Sequence, residues 1–130
     1  MKSKKNLQPI DFDLVEKWLE NYCLDPLTSH DDLTQFRIDL YETDQEWIVE
    51  ALLTEYNSSE IKVFIEDNKL VITAVKSSTP SNELKKVRTI QFPFQVIYQK
   101  VKAQYINGIL EVLISKSEKG LGKNCYITLP

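Results

Sequence analysis

One histidine (His30), two cysteines, one methionine and three glycines in 130 residues leave little material for catalysis. A histidine-centred triad or a histidine-rich metal site has too few members. Three glycines cannot build a glycine-rich phosphate loop, and G-x-S-x-G, H-E-x-x-H and C-x-x-C are all absent. Cys23 and Cys125 stand one towards each end, which is neither a disulfide framework nor a metal cluster. Neighbouring acids such as Asp31-Asp32, or Asp11 and Asp13, suit helix capping or solvation better than acid–base work. The expectation is a protein that is not an enzyme, with no catalytic residue, cofactor or metal.

Charge is not in excess either. Lys and Arg number 16 against 19 Asp and Glu, a net of -3, so the clustered basic face that nucleic acid requires is missing. No run approaches the roughly 18 consecutive apolar residues of a membrane helix. The basic residues 1–5 are followed by Asn6, Leu7, Gln8, Pro9, Ile10 and Asp11 rather than by the apolar core of an export signal. A soluble cytoplasmic protein is expected, without nucleic-acid or membrane partners.

What the sequence does have is periodicity. At 42% hydrophobic residues it can bury one modest core. In residues 100–116, KVKAQYINGILEVLISK, Val101, Ala103 and Tyr105 alternate before Asn107-Gly108, and Leu110, Val112 and Ile114 alternate after it. Asn-Gly between alternating apolar positions predicts a hairpin, because the tight turn needs positive φ at both central residues. Upstream, Phe36, Ile38 and Leu40, then Trp47, Val49, Ala51 and Leu53, predict two strands around a turn at 43–45. Ile61, Val63 and Ile65, with Leu70, Ile72 and Ala74, predict a second hairpin about Asp67-Asn68. Residues 77–83, polar and containing Pro80, predict a loop. Phe12, Val15, Trp18, Leu19 and Tyr22 recur at helical spacing, with Asp11 or Asp13 as cap and Pro26 beyond the end. That stripe fits either satellite packing on the strands or a sticky surface buried only between molecules. The net charge sits in this arm: residues 1–35 hold four Lys and seven acids, whereas 36–116 hold ten basic and eleven acidic residues.

Ala103, Asn107-Gly108 and Leu110 stand at the spacing A-x-x-x-N-G-x-L, which resembles the signature closing the α-crystallin domain of small heat shock proteins, the Hsp20 family. FRIDLYETDQEWIVEALL at 36–53 resembles the opening of that domain, and SSEIKV at 58–63 its next strand. The family's usual E-A-x-L-P-G corner is absent, since Glu50-Ala51-Leu52-Leu53 runs on to Thr54-Glu55. The long loop that carries an exchanged strand in plant-type members is also missing, which resembles short, divergent bacterial members such as spore-coat components.

The resemblance implies an all-β, immunoglobulin-like antiparallel sandwich over 36–116, flanked by an arm with a short helix (1–35) and an extended tail (117–130). It implies a chaperone that holds non-native client proteins without ATP and forms homodimers and higher oligomers; the alternative is a structural role in a spore coat. Arg88, in LKKVRTIQFP, matches an arginine the family often has at the subunit contact, and is otherwise an edge charge that discourages stray pairing. An edge-to-edge dimer through residues 84–92 is expected. Beyond a flexible connector at Gly120, Leu121 and Gly122, Ile127 and Leu129 form an I-x-L tripeptide. The family's I-x-I docks in a neighbouring domain's groove, here formed by Ile61 and Val63 on one strand and Val101 and Ala103 on another. Pairing within its own domain is the competing reading. Phe12, Val15, Trp18, Leu19 and Tyr22 are the implied client and assembly arm.

Overall fold

Both predicted tight turns close as their residues dictate. Asn107 (φ 54°) and Gly108 (φ 82°) are left-handed in succession, and Asp67 (φ 54°) is left-handed in the other hairpin. A computed structural model describes residues 10–24, 36–76 and 86–129, with side chains from 21 to 24 excepted. In chain order the regular elements are helix α1 (Phe12–Leu24) and strands β1 (Ile38–Glu42), β2 (Glu46–Leu52), β3 (Ile61–Glu66), β4 (Lys69–Ala74), β5 (Lys86–Gln91), β6 (Gln99–Ile106), β7 (Ile109–Lys119) and β8 (Cys125–Ile127). The predicted loop at 77–83 lies outside the described residues.

The strands form two four-stranded antiparallel sheets, β1-β2-β7-β6 and β5-β4-β3-β8. Period-2 alternation decides what lies between them. Trp47, Val49 and Ala51 of β2, paired with Ile114, Val112 and Leu110 of β7, face Val63, Ile65, Leu70 and Ile72 of the second sheet, and all are buried. Phe36 is buried but precedes β1, and β7 runs three residues past the expected domain edge at 116. The eighth strand belongs to the sandwich, so the tail is not a separate appendage.

The corner after β2 holds without Pro-Gly. Tyr56 N donates to Leu53 O (3.1 Å) in a tight turn, and Leu53 N donates to Gly108 O (2.8 Å). The Tyr105 hydroxyl lies 2.6 Å from Leu53 O and 2.5 Å from Tyr56 O and shares its single proton between the two carbonyls, so a distant strand supplies the closure. Burial, and secondarily the charge of Glu60, pushes the Tyr105 phenol pKa up, in keeping with a hydroxyl that must stay protonated to donate. Gly108 has a second reason to be glycine, because a Cβ there would stand 2.6 Å from Thr54 Cγ2.

Helix α1 is capped by Asp11, whose Oδ1 accepts from Leu14 N at 3.2 Å. Val15 is buried, and Trp18 and Leu19 are part-buried against the sandwich. Phe12 and Trp18 bracket a continuous run of rings: Phe12 on Trp47 (5.9 Å), Trp47 on Phe94 (4.7 Å), Phe94 on Phe92 (5.3 Å) and Phe92 on Trp18 (5.0 Å). The Lys116 ammonium lies over both Phe12 and Trp47, at 6.0 and 5.5 Å, and bonds Glu42 at 2.6 Å.

Candidate assembly surfaces

Strand β8 adds to the edge of β3 in the same chain. Ile127 stands opposite Val63, Tyr126 opposite Phe64, and Cys125 opposite Ile65. Alternation turns Cys125, Ile127 and Leu129 to the core, where they are part-buried, and leaves Tyr126 and Thr128 outside. The tail's inner face is therefore C-x-I-x-L, one apolar position longer than the predicted tripeptide, and the extra residue was visible as plain alternation. Of the expected groove residues, Ile61, Val63 and Ala103 are buried and Val101 is part-buried; β8 pairs with β3 at Val63 and also approaches β6.

The occupant in this chain is its own Ile127 and Leu129, the within-domain pairing named above as the competing reading. The physical reason lies in the connector. Gly120 N donates to Tyr98 O and Gly122 N to Ile97 O, each at 2.9 Å. A Cβ on Gly120 would approach Gln99 O to 2.2 Å. These glycines permit close backbone contact and do not supply slack. Asn124 Oδ1 then accepts from Asp67 N at 3.0 Å, which sets the register in which β8 starts. Asn124 carried no signal in the sequence, since its partner lies 57 positions away.

Arg88 also departs from expectation. It shares the inward face of β5 with Ile90, is 6% exposed, and donates from Nη1 to Phe36 O at 2.7 Å. The guanidinium thus ties β5 to the residue leading into β1, where it satisfies a buried carbonyl, and is not offered along the edge as a subunit contact. Arg88→Leu is expected to lower unfolding free energy by about 1.5–3 kcal/mol, the worth of a hydrogen bond to a charged group. Chemical denaturation reads the loss, and sedimentation should show an unchanged subunit mass. An altered mass with an unchanged midpoint would return Arg88 to an interface.

Four strands bound the sheets, and they are protected unequally. β8 is three residues long, β1 is five and carries Asp39 and Glu42, and β6 has a register break between Gln99 and Val101 with Lys100 and Lys102 exposed. β5 has Lys86 at its start but turns Arg88 inward, leaving Val87, Thr89 and Gln91 on its outer side. It is the edge least guarded against pairing. Residues 84 and 85 lie outside the described part.

The arm residues divide. Val15, Trp18 and Leu19 are committed to the chain's own sandwich, Phe12 is half exposed while stacked on Trp47, and the Tyr22 side chain lies outside the described residues. The satellite-packing reading describes this helix. Phe92, expected at the end of the edge strand 84–92, is buried and receives Trp18, and Phe94 beyond Pro93 went unassigned in the sequence because a Phe-Pro-Phe run has neither strand nor helix period.

Among the described residues no helix is long and apolar enough to cross a membrane, and no group of three or more His, Cys, Asp or Glu could hold a metal ion.

Two four-stranded antiparallel sheets, closed by an Asn-Gly hairpin and extended by a C-terminal strand on β3, define an immunoglobulin-like sandwich of the α-crystallin type. The chain belongs to the Hsp20/alpha crystallin family, whose profile matches residues 39–127. It is 32% identical over 114 residues to Spore coat protein M of Bacillus subtilis (strain 168), covering 88% of this chain and 82% of that protein. Among solved structures it resembles a mutant of hsp14.1 from Sulfolobus solfatataricus P2, with TM-score 0.52 and 30% identity over 71% of this chain and 85% of that one. Heat shock protein 16.0 from Schizosaccharomyces pombe gives TM-score 0.53 and 25% identity, covering 68% and 93%.

Proposed function

We propose that this chain is an ATP-independent holdase of the small heat shock type, which binds non-native client proteins and assembles with itself. The observation that carries the reading is the strand-addition site on β3. The outer edge of six-residue β3, which buries Ile61 and Val63, is covered at Val63–Ile65 by a three-residue strand of the same chain. A site built for a short apolar strand accepts any extended apolar segment, whether from an unfolding client or from another copy. Each Å² of apolar surface a client buries there is worth roughly 25 cal/mol, so no nucleotide is required. Homodimers form along β5, through residues 84–92, and larger oligomers by exchange of the tail between copies in the register it adopts at home. No catalytic residue, cofactor or metal takes part, and the holdase acts in the cytoplasm.

The likeness to Spore coat protein M favours a second reading, in which the same contacts build a coat layer and the protein resides there. The two part in one assay. Mixed with a heat-labile enzyme at equal subunit concentration and warmed, a holdase is expected to suppress light scattering. Undiminished scattering overturns that reading and leaves the structural one.

A further inference from the structure

The outer face of the first sheet is apolar where a solvated face should be polar. Strand pairing places Leu52, Ile109 and Ile106 in one row across β2, β7 and β6, and they are 50%, 39% and 57% exposed. Two residues further along the strands runs an acidic row, Asp39, Glu50 and Glu111, and two beyond that Tyr41, Ile48 and Leu113. Along β2 and β7 the order is therefore apolar, acidic, apolar, with steps of about 7 Å, whereas β6 continues the rows with Ile106, Gln104 and the exposed Lys102, and β1 with Asp39 and Tyr41. Glu50 stands directly opposite Glu111, an arrangement that destabilises a sheet. The cation bonded to this row is Arg37, whose contact with Asp39 is solvent-exposed, while Glu111 is met by the neutral amide of Gln104 at 2.6 Å. The Tyr41 phenol is pushed up chiefly by the charge of Glu50, then by burial and Asp39, so the row's field is negative at its flank.

We propose that this face binds an extended segment of another protein in which a Lys or Arg is flanked two residues away on each side by aliphatic residues. The cation relieves the Glu50–Glu111 repulsion, and the aliphatic neighbours cover the two apolar rows. A second copy of this face is the poorer occupant, because two-fold packing centred on the row would set Glu50 and Glu111 against their own copies. The inference concerns a surface used by neither the tail nor β5, and it stands whether the chain is a holdase or a coat protein.

The test titrates the full chain into a fluorescent peptide of repeated Leu-Ser-Lys-Ser-Leu, followed by anisotropy, with Glu replacing Lys as control. Saturable binding of the Lys peptide alone is expected, weakened in 0.5 M salt. Glu50→Gln/Glu111→Gln should reduce affinity about tenfold, the equivalent of two exposed ion pairs. Ile106→Ser/Ile109→Ser, exposed substitutions that leave the core intact, should reduce it comparably. Absence of saturation, equal binding of the Glu peptide, or affinity indifferent to either pair of substitutions would overturn the proposal.

Discussion

Trp47→Ala is expected to remove about 3–5 kcal/mol of unfolding free energy, the range for truncating a buried aromatic side chain. Trp47 is 2% exposed and is the middle member through which Phe12 of the helix and Phe94 of the loop after β5 are joined. Its loss opens a cavity at the start of β2 and also removes the surface under Phe12 and one of the two rings beneath Lys116. Two readouts should therefore move together: the thermal midpoint, by roughly 10–20 °C for a domain of this size, and protease resistance at α1. Trp47→Phe should be much milder, because Nε1 is buried with no hydrogen-bond partner among the described residues, and removing it relieves a desolvated donor. A loss below about 1 kcal/mol on alanine substitution would show that the ring run does not hold the helix to the sandwich.

Ile127→Ser/Leu129→Ser is the second large effect, and it acts on association more than on folding. Both side chains lie on the inner face of the tail, and hydroxyls there would leave polar groups against the core cluster. β8 should detach from β3, exposing the Val63–Ile65 edge, and binding of an apolar dye should rise severalfold. If tails exchange between copies and dimers form along β5, species larger than a dimer should disappear from size-exclusion profiles while dimers persist. An unchanged size distribution would confine the tail to its own chain. Gly120→Ala offers the opposite perturbation: it disturbs the connector at Gln99 O, leaves the tail's apolar residues in place, and should favour exchange.

Local features read cleanly from the sequence. Asn107-Gly108 fixed a hairpin, alternation from Ile61 to Ala74 fixed another, and Phe12 to Leu19 at helical spacing fixed α1, because each pattern is complete within a few residues. What escaped depends on partners far away in the chain. Arg88 looked like an edge charge until Phe36 O, 52 positions away, was found beside it. Gly120 and Gly122 looked like slack until the carbonyls of Ile97, Tyr98 and Gln99 closed around them. The tail's alternation identified a strand but not whose edge it joins, because side-chain period says nothing about which molecule supplies the partner.

The corner closed by Tyr105 has a bearing on how the chain is made. A Pro-Gly turn would set locally as soon as it left the ribosome, whereas Leu53 and Tyr56 must wait for a hydroxyl that is synthesised about fifty residues later. β2 waits similarly for β7, its inner neighbour. Folding of the first sheet is thus deferred until β7 has emerged, and contacts of such long range close slowly. During that interval the apolar faces of β1 and β2 stand uncovered and are open to contact with other chains.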